Sequence, residues 1–366
     1  MTAESPQKER SVPKPAFTDA EAGALEFPSW QSRSYNYFTP RKRKATVYED
    51  VTVDVQPDPA RHLTQGWIYA FADGTAGYPL EWTALRSSNW HAFLDPNEEW
   101  EQTIYRNNAN VVRQVQQTIA NARAAHAFSA WNRAWVTIVE RHVGAWAHAE
   151  HGLGLHVYTA AQRDAPTNMI NNAMAVGAVH KLRFAQDLIL YNLEVGEEIA
   201  EFDGGAHRVA WQQDPVWQGV RENVERLTAT RDWAELFFAT ALVFEPLVGE
   251  LFRSNFVMQA AAPNGDYVTP ALMGTGEADT TRDQRGARHL FKLLVEDAEH
   301  GGENRSLLQQ WVDKWTPLTA DAARSLQPVW SQAPEKVVRF EDSFASAQAR
   351  FEGFLDELSL QSPKEL

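Results

Sequence analysis

Beyond about residue 95, apolar side chains return every three or four positions, the spacing that gathers them on one face of an α-helix. Asp95-Pro96 reads as a helix start, with a capping carboxylate, Pro at the first position and acidic residues in the opening turn. Ile104, Val111, Val115, Ile119 and Ala122 follow at helical spacing. A second stripe runs Trp135, Ile138, His142, Ala145, Ala149, Leu153, His156, Ala160 and stops at Asp164-Ala-Pro166. A third helix is predicted from about 168 to 200, with Ile170, Ala173, Gly177, Phe184, Leu188, Tyr191 and Val195 on one side. A fourth, roughly 231 to 261, is apolar on every side, the mark of a helix at the centre of a bundle. Asn264-Gly265-Asp266 breaks it, a fifth begins near Thr269-Pro270, and pieces at 304–315, 320–326 and 340–358 complete the set. No βαβ alternation and no run of strand pattern interrupts the body, which predicts an all-α bundle of long helices.

The first 90 residues behave differently. Seven of the 18 prolines fall within the first 60 positions, where each removes a backbone donor and blocks helix continuation. The same stretch carries Phe27, Trp30, Tyr35, Tyr37, Phe38, Tyr48, Trp67, Tyr69 and Phe71, too aromatic a set for a chain that stays solvated. It reads as an extended arm that lies on something, either its own helices or another subunit. The expected organisation is an arm over 1–90 for subunit contact, a helical domain over 91–330, and a C-terminal helix and tail over 331–366.

Composition narrows the function. The formal net charge is −14, which argues against nucleic acid as a partner. One basic run, Arg41-Lys42-Arg43-Lys44, suits a solvated turn or an acidic protein surface better. With no cysteine there are no disulfides, thiolate metal sites or Cys nucleophiles. No apolar run is long enough to span a bilayer and the polar N-terminus lacks a signal-peptide core, so no membrane association is expected and the expected compartment is the cytoplasm. Fourteen tryptophans are unusual. Most suit core filling, but Trp30, Trp67, Trp82 and Trp90 fall where no periodic helix exists to bury them and are placed against a partner.

Long-helix bundles often hold two irons, using Glu-x-x-His on each of two helices and one Glu on each of the other two. Residues three apart share a helix face, so a Glu-x-x-His pair reaches one metal. The positions three before the 11 histidines are Pro59, Ser88, Arg123, Val139, Ala145, His148, Leu153, Gly177, Gly204, Gly286 and Asp297; none is Glu. Two fragments remain. His148-x-x-His151 offers part of a zinc site but reads better as a polar helix face. Asp297-x-x-His300 reads as a cap at a helix C-terminus. His142 and His156, sharing a stripe with Trp and Ile, read as satisfied core groups. Glu235, Glu245 and Glu250 lie on the most apolar helix and need partners there. These are expected from Glu277, Asp279, Arg282, Asp283, Arg285 and Arg288 of the fifth helix, forming a salt-bridge network where an active relative would place metal.

Several stretches resemble a known family: WQSRSYNYFTPRKRKATVYEDVT, DPNEEWEQTIYRNNANVV, AVGAVHKLRFAQDLILYNLE and NGDYVTPAL. The chain is similar over its whole length to the hydroxylase small (beta) subunits of soluble di-iron monooxygenases. That group includes methane, toluene, phenol, tetrahydrofuran and propane monooxygenases, and the likeness is greatest to the propane branch. The resemblance implies a ferritin-like (ribonucleotide reductase-like) fold and a non-catalytic structural role. In the family the large subunit carries Asp-Glu-x-Arg-His on two helices. Here the matching stretches read Asp279-Thr280-Thr281-Arg282-Asp283 and His180-Lys181-Leu182-Arg183-Phe184. Lys181, Phe184, Thr280 and Asp283 are therefore degenerate ligand positions, and neither catalytic nor metal residues are expected in this chain.

The resemblance further implies a di-iron centre in a large (alpha) subunit partner within an α2β2 assembly. A reductase with FAD and an Fe-S cluster and a small coupling protein would join transiently, consuming NADH and O2. The substrate would be propane or a similar small alkane, ether or phenol. The contact residues expected in the arm are Trp30, Tyr35, Tyr37, Phe38, Arg41, Lys42, Arg43 and Lys44. The alternatives are a stand-alone metal enzyme using His148, His151, Asp297 and His300, or a homo-oligomeric helical scaffold.

Overall fold

A computed structural model describes residues 40, 42, 44–53 and 82–363. The chain divides into two compact units, Met1–Pro79 and Leu80–Leu366. In the first, the Thr46 N–H donates to Glu49 Oε2 (2.8 Å) and the Glu49 N–H to Thr46 Oγ1 (3.2 Å), a reciprocal cap. It opens the short helical turn Glu49–Val53. Trp30, Tyr35, Tyr37, Phe38, Arg41, Arg43 and Trp67 lie outside the described residues, while Lys42 and Lys44 are exposed.

The second unit is a helical bundle, and no strand occurs among the described residues. Helix α1 is Glu101–Ala124, α2 spans 133–164, α3 is Asn168–Glu198, α4 Ala206–Gln213, α5 Pro215–Ala229 and α6 spans 233–260. Then come α7 (Thr269–Val295), α8 (Gly301–Ser325), α9 (Gln327–Gln332) and α10 (Phe340–Glu357). Helices α2, α3, α6 and α7 form the inner frame, with α8 and α10 packed on the outside of α6. The second and third predicted stripes emerge as α2 and α3, and the segment apolar on every side as α6, in which 239–249 is buried throughout.

Local chemistry sets the boundaries. Thr167 Oγ1 accepts the Ile170 N–H to start α3, and Asp232 accepts the N–H groups of Ala234 and Glu235 to start α6. The break between α6 and α7 needs Gly265 at φ +87°, where a Cβ would also strike the Ala130 carbonyl. Asp266 then accepts from Val268 N, Thr269 N and Trp135 Nε1.

Three expectations need correction here. Asp95-Pro96 does not start α1. The Asp95 carboxylate accepts both the backbone N–H and the Nδ2 of Asn97, Glu98 turns through φ +50°, and the helix begins at Glu101. The pieces at 304–315 and 320–326 are one helix, because Pro317 is carried inside α8 between buried Trp315, Thr316, Thr319 and Ala320. Trp90 is half-buried and lies edge-on to Trp233 at 5.8 Å. His156 is exposed rather than core, since the helix turns through π geometry over Leu153–Tyr158 and shifts the stripe. His142 is buried as expected, accepting from Trp217 Nε1 and bonded to Gln332 Oε1.

Candidate functional site

At the centre of the frame each inner helix contributes one or two polar side chains: Glu150 from α2, Lys181 from α3, Glu245 and Arg253 from α6, Glu277 and Thr280 from α7. All but Glu277 are essentially sealed from solvent. The Arg253 guanidinium is the hub, reaching Glu150 Oε1 at 3.0 Å, Glu245 Oε2 at 2.7 Å, Glu277 Oε1 at 2.6 Å and Thr280 Oγ1 at 3.1 Å. The Lys181 ammonium faces the other side of the same carboxylates. It pairs with Glu245, sits 3.1 Å from Glu150 Oε2 and 3.4 Å from Thr280 Oγ1. Trp146 Nε1 donates to Glu150 Oε1 (2.7 Å) and the Arg253 guanidinium lies over the Trp146 ring.

The backbone is shaped for this. Residues 239–249 follow π-helical geometry, which accommodates Pro246 in mid-helix and presents Glu245 inward. Gly249 leaves the space the pair occupies: a Cβ there would run into Glu245 and approach Arg253 Nη1 at 2.9 Å. Burial would raise the Glu245 carboxyl, but Arg253 and then Lys181 outweigh it and hold it low. Burial dominates at Glu150 and lifts its carboxyl despite Lys181 and Arg253. The ammonium of Lys181, which burial alone would push down, is raised by Glu150 and Glu245. Two carboxylates and two cations thus balance in a dry interior, where an unpaired charge would cost several kcal/mol by order of magnitude.

Interleaved with these residues along α3 and α7, on the neighbouring helix faces, lies a second cluster. His180 Nδ1 bonds Asp283 Oδ1 at 2.8 Å, while Nε2 stands 3.5 Å from Glu99 and 3.7 Å from Asp279. Arg183 pairs with Asp279 (2.5 Å) and Asp187, and Arg282 with Asp279 (2.8 Å). Burial would lower the His180 pKa, but Asp283, Glu99 and Asp279 raise it to about 10, so the ring is an imidazolium at neutral pH. Asp95 lies close by, its pKa raised to about 6 by burial, with Glu99 and Asp283 adding to it against the opposing Asn97 bonds. A cavity of about 10 Å³ separates Asp95, Glu99 and Asp283.

The degenerate ligand positions therefore converge in space. Lys181 and Thr280 face the same centre, Phe184 packs onto Gly276 so closely that a Cβ there would meet its ring at 2.5 Å, and Asp283 holds His180. None of the six α7 residues expected to serve the α6 carboxylates pairs with Glu235, Glu245 or Glu250. Glu250 bonds Gln284 of α7 and Arg350 of α10, and Glu235 pairs with Lys314 and Trp315 of α8. Glu245 is served by Lys181 and by Arg253 of its own helix, because the π turn brings 245 and 253 to one side. Arg288 instead pairs with Glu357.

The structure does not assemble the alternative metal set. His148 stacks on Trp211 and bonds His207 (2.9 Å), with its pKa lowered to about 4 by burial and the neighbouring His207, while His151 is exposed. Asp297 sits past the end of α7 as expected, yet it caps no helix C-terminus: its carboxylate accepts the N–H groups of Ser88, Glu299 and His300 in the turn before α8. No cluster of three or more His, Asp or Glu suited to a metal occurs among the described residues. Sequence reasoning missed Glu150, hidden between two histidines, and Arg253. The signal for Arg253 was present: it is the only basic residue between Trp233 and Ala260.

Comparison with known proteins gives a consistent result. Residues 67–298 match the Methane/Phenol/Alkene Hydroxylase family profile. The chain is 58% identical, over the full length of both, to the small subunit of the propane 2-monooxygenase hydroxylase component of Rhodococcus jostii. It is 26% identical to the methane monooxygenase component A beta chain of Methylococcus capsulatus, over 90% of this chain and 88% of the other. A crystal structure of phenol hydroxylase from Pseudomonas sp. OX1 superposes with a TM-score of 0.73 at 19% identity, covering 88% of this chain and 92% of that one. The helical fold is thus the ferritin-like fold of the hydroxylases.

Proposed function

The chain belongs to the methane, phenol and alkene hydroxylase family, and from that premise we propose that it is a non-catalytic small subunit supporting a larger, iron-bearing subunit of a multicomponent monooxygenase. The family is one of di-iron hydroxylases. The residues at this chain's centre do not fit two irons. A ferritin-like di-iron site uses two single Glu residues and two Glu-x-x-His pairs. Here the single carboxylates have counterparts in Glu150 and Glu245, but the pairs are Lys181-x-x-Phe184 and Thr280-x-x-Asp283. An ammonium has no lone pair to give a metal, and a phenyl ring is no ligand. That Lys181 and Arg253 stand between Glu150 and Glu245 carries the reading.

Oxygen and substrate chemistry then belong to the partner. By likeness to the Rhodococcus protein the substrate of the whole complex is propane or a similar small alkane, ether or phenol, and the family resemblance implies an α2β2 hydroxylase, a coupling protein and an NADH-dependent reductase around it. What this chain supplies is a rigid scaffold. Helix α3 has two apolar faces. One is buried against the frame, while the other carries Val179, Leu182, Ile189, Leu190 and Leu193, with Leu190 49% and Leu193 58% exposed. A helix apolar on both sides with one side open suits a subunit contact, alongside the arm residues Trp30 to Lys44.

Co-expression with the large hydroxylase subunit tests this. Iron should follow the large subunit, and this chain purified alone should hold none. Leu190→Glu with Leu193→Glu should cut co-purification at least tenfold while leaving this chain's helical content unchanged. Stoichiometric iron in the isolated chain would defeat the proposal.

A further inference from the structure

The centre retains more of a metal site than an iron-free scaffold requires. A bundle that merely lost its irons would be free to fill the space with apolar side chains, which is often neutral or stabilising relative to buried ion pairs. Instead Glu150 and Glu245 still converge from two different helices, and both are satisfied by positive charge. Each carboxylate uses its two oxygens in the same way. One oxygen faces the Arg253 guanidinium (Glu150 Oε1, Glu245 Oε2) and the other faces the Lys181 ammonium (Glu150 Oε2, Glu245 Oε1). Two carboxylates that each bridge the same two cations reproduce the charge pattern of carboxylates bridging two metal ions. The Glu150 Oε2 atom has no hydrogen bond from any other group, so its only electrostatic partner on that side is the ammonium 3.1 Å away. Thr280 Oγ1 touches both cations, at 3.4 Å from Lys181 Nζ and 3.1 Å from Arg253 Nη2.

We propose that Lys181 and Arg253 are built-in cations standing where a metal pair would stand, and that the Lys181 side of the centre is a latent divalent-cation site closed only by its ammonium. The charge balance explains why the site is closed. Inside the core Glu150 and Glu245 are neutralised by Lys181 and Arg253, and adding a divalent ion would leave excess positive charge in a dry interior. Lys181→Glu reverses this. Carboxylates from α2, α3 and α6 then converge beside Arg253, whose Nε still pairs with Glu277; replacing an ammonium by a carboxylate changes the charge by two units, which one divalent ion offsets, and Thr280 Oγ1 supplies a further oxygen. Three carboxylates and a hydroxyl form an all-oxygen donor set, which suits Mn2+ or Mg2+.

The inference rests on the reading of the wild-type centre as iron-free, and the two fail differently: iron in the wild-type chain defeats that reading, whereas an inert variant defeats only this one. The probe is Mn2+ added to the full chain, alone and in complex with its hydroxylase partner, counted as the increment over the unchanged complex. Lys181→Glu is expected to take up one Mn2+ per chain, quench the free-ion EPR signal stoichiometrically and melt at higher temperature with Mn2+ than without. Wild type and Lys181→Met, which removes the ammonium without adding a ligand, should bind at least tenfold less. If Lys181→Glu folds only when Mn2+ is present, the proposal stands. A variant that binds no Mn2+, or remains unfolded with and without it, overturns the proposal, as does equal uptake by wild type or Lys181→Met.

Discussion

Two charged clusters occupy neighbouring faces of α3 and α7, and they solve the burial of charge in opposite ways. The inner centre sets two fully enclosed carboxylates against a lysine and an arginine whose positive forms their surroundings reinforce. The outer cluster sets Asp95, Glu99, Asp187, Asp279 and Asp283 against two arginines and one histidine. It is acid-rich, and its excess negative charge is reduced by the proton on His180 and, below about pH 6, by a proton on Asp95, with pKa values of about 10 and about 6. Charge that is balanced by permanent cations resists pH, whereas charge balanced by a bound proton follows it. The inner centre should therefore behave as a fixed brace and the outer cluster as the part of the bundle that feels pH.

Breaking the inner brace should have the largest effect. Arg253→Met strands Glu150, Glu245 and part of Glu277 in the core, at a cost on the order of 3–5 kcal/mol. Denaturant melts should show that loss at pH 6 and pH 8 alike; a loss under 1 kcal/mol would mean the core reorganises around water. His180→Gln should cost less, about 2–3 kcal/mol by the same reasoning, and its cost should depend on pH. The folded pKa of His180 lies above the unfolded value of 6.5, so its contribution is complete below pH 6.5 and is lost as pH rises toward 10. The gap between wild type and His180→Gln should accordingly narrow from pH 6 to pH 10, and a constant gap would show that the ring is neutral in the fold.

The smallest effect has the opposite sign. The Asp95 carboxyl is raised from 3.8 to about 6, so its ionised form destabilises the fold, a cost absent below pH 3.8 and complete above about pH 6. Asp95→Asn keeps an oxygen for the Asn97 N–H while removing the charge. It should stabilise the chain by about 1 kcal/mol at pH 8, with the gain vanishing near pH 4. Destabilisation at pH 8 would point to a partner that needs the carboxylate.

Much of this molecule was legible along the chain, for physical reasons that differ by region. The stripes of α2 and α3 could be read because burial on one face imposes a 3.6-residue period on composition, and α6 because burial on every side leaves it apolar all round. The Asn264-Gly265-Asp266 break could be read because a left-handed turn there requires Gly. Asp95-Pro96 misled, since the same residues that start helices also close Asx turns, and the side-chain bonds of Asn97 decided between them. The gap left between 315 and 320 misled too, because packing of Trp315, Thr316, Thr319 and Ala320 on one face carries the helix through Pro317 despite its missing hydrogen bond.

The sequence alone determined that the bundle carries no Glu-x-x-His pair, because that pairing is a matter of spacing within one helix, and spacing is a property of the chain. The family resemblance drew attention to Lys181 and Thr280. Only the tertiary structure decided what those positions do. Glu150, Lys181, Glu245 and Arg253 lie on three helices and up to 103 positions apart, so their meeting depends on how α2, α3 and α6 pack and on the π turns that rotate them. Local patterns record which face of a helix is buried; which charges then face each other is a property of the packed frame.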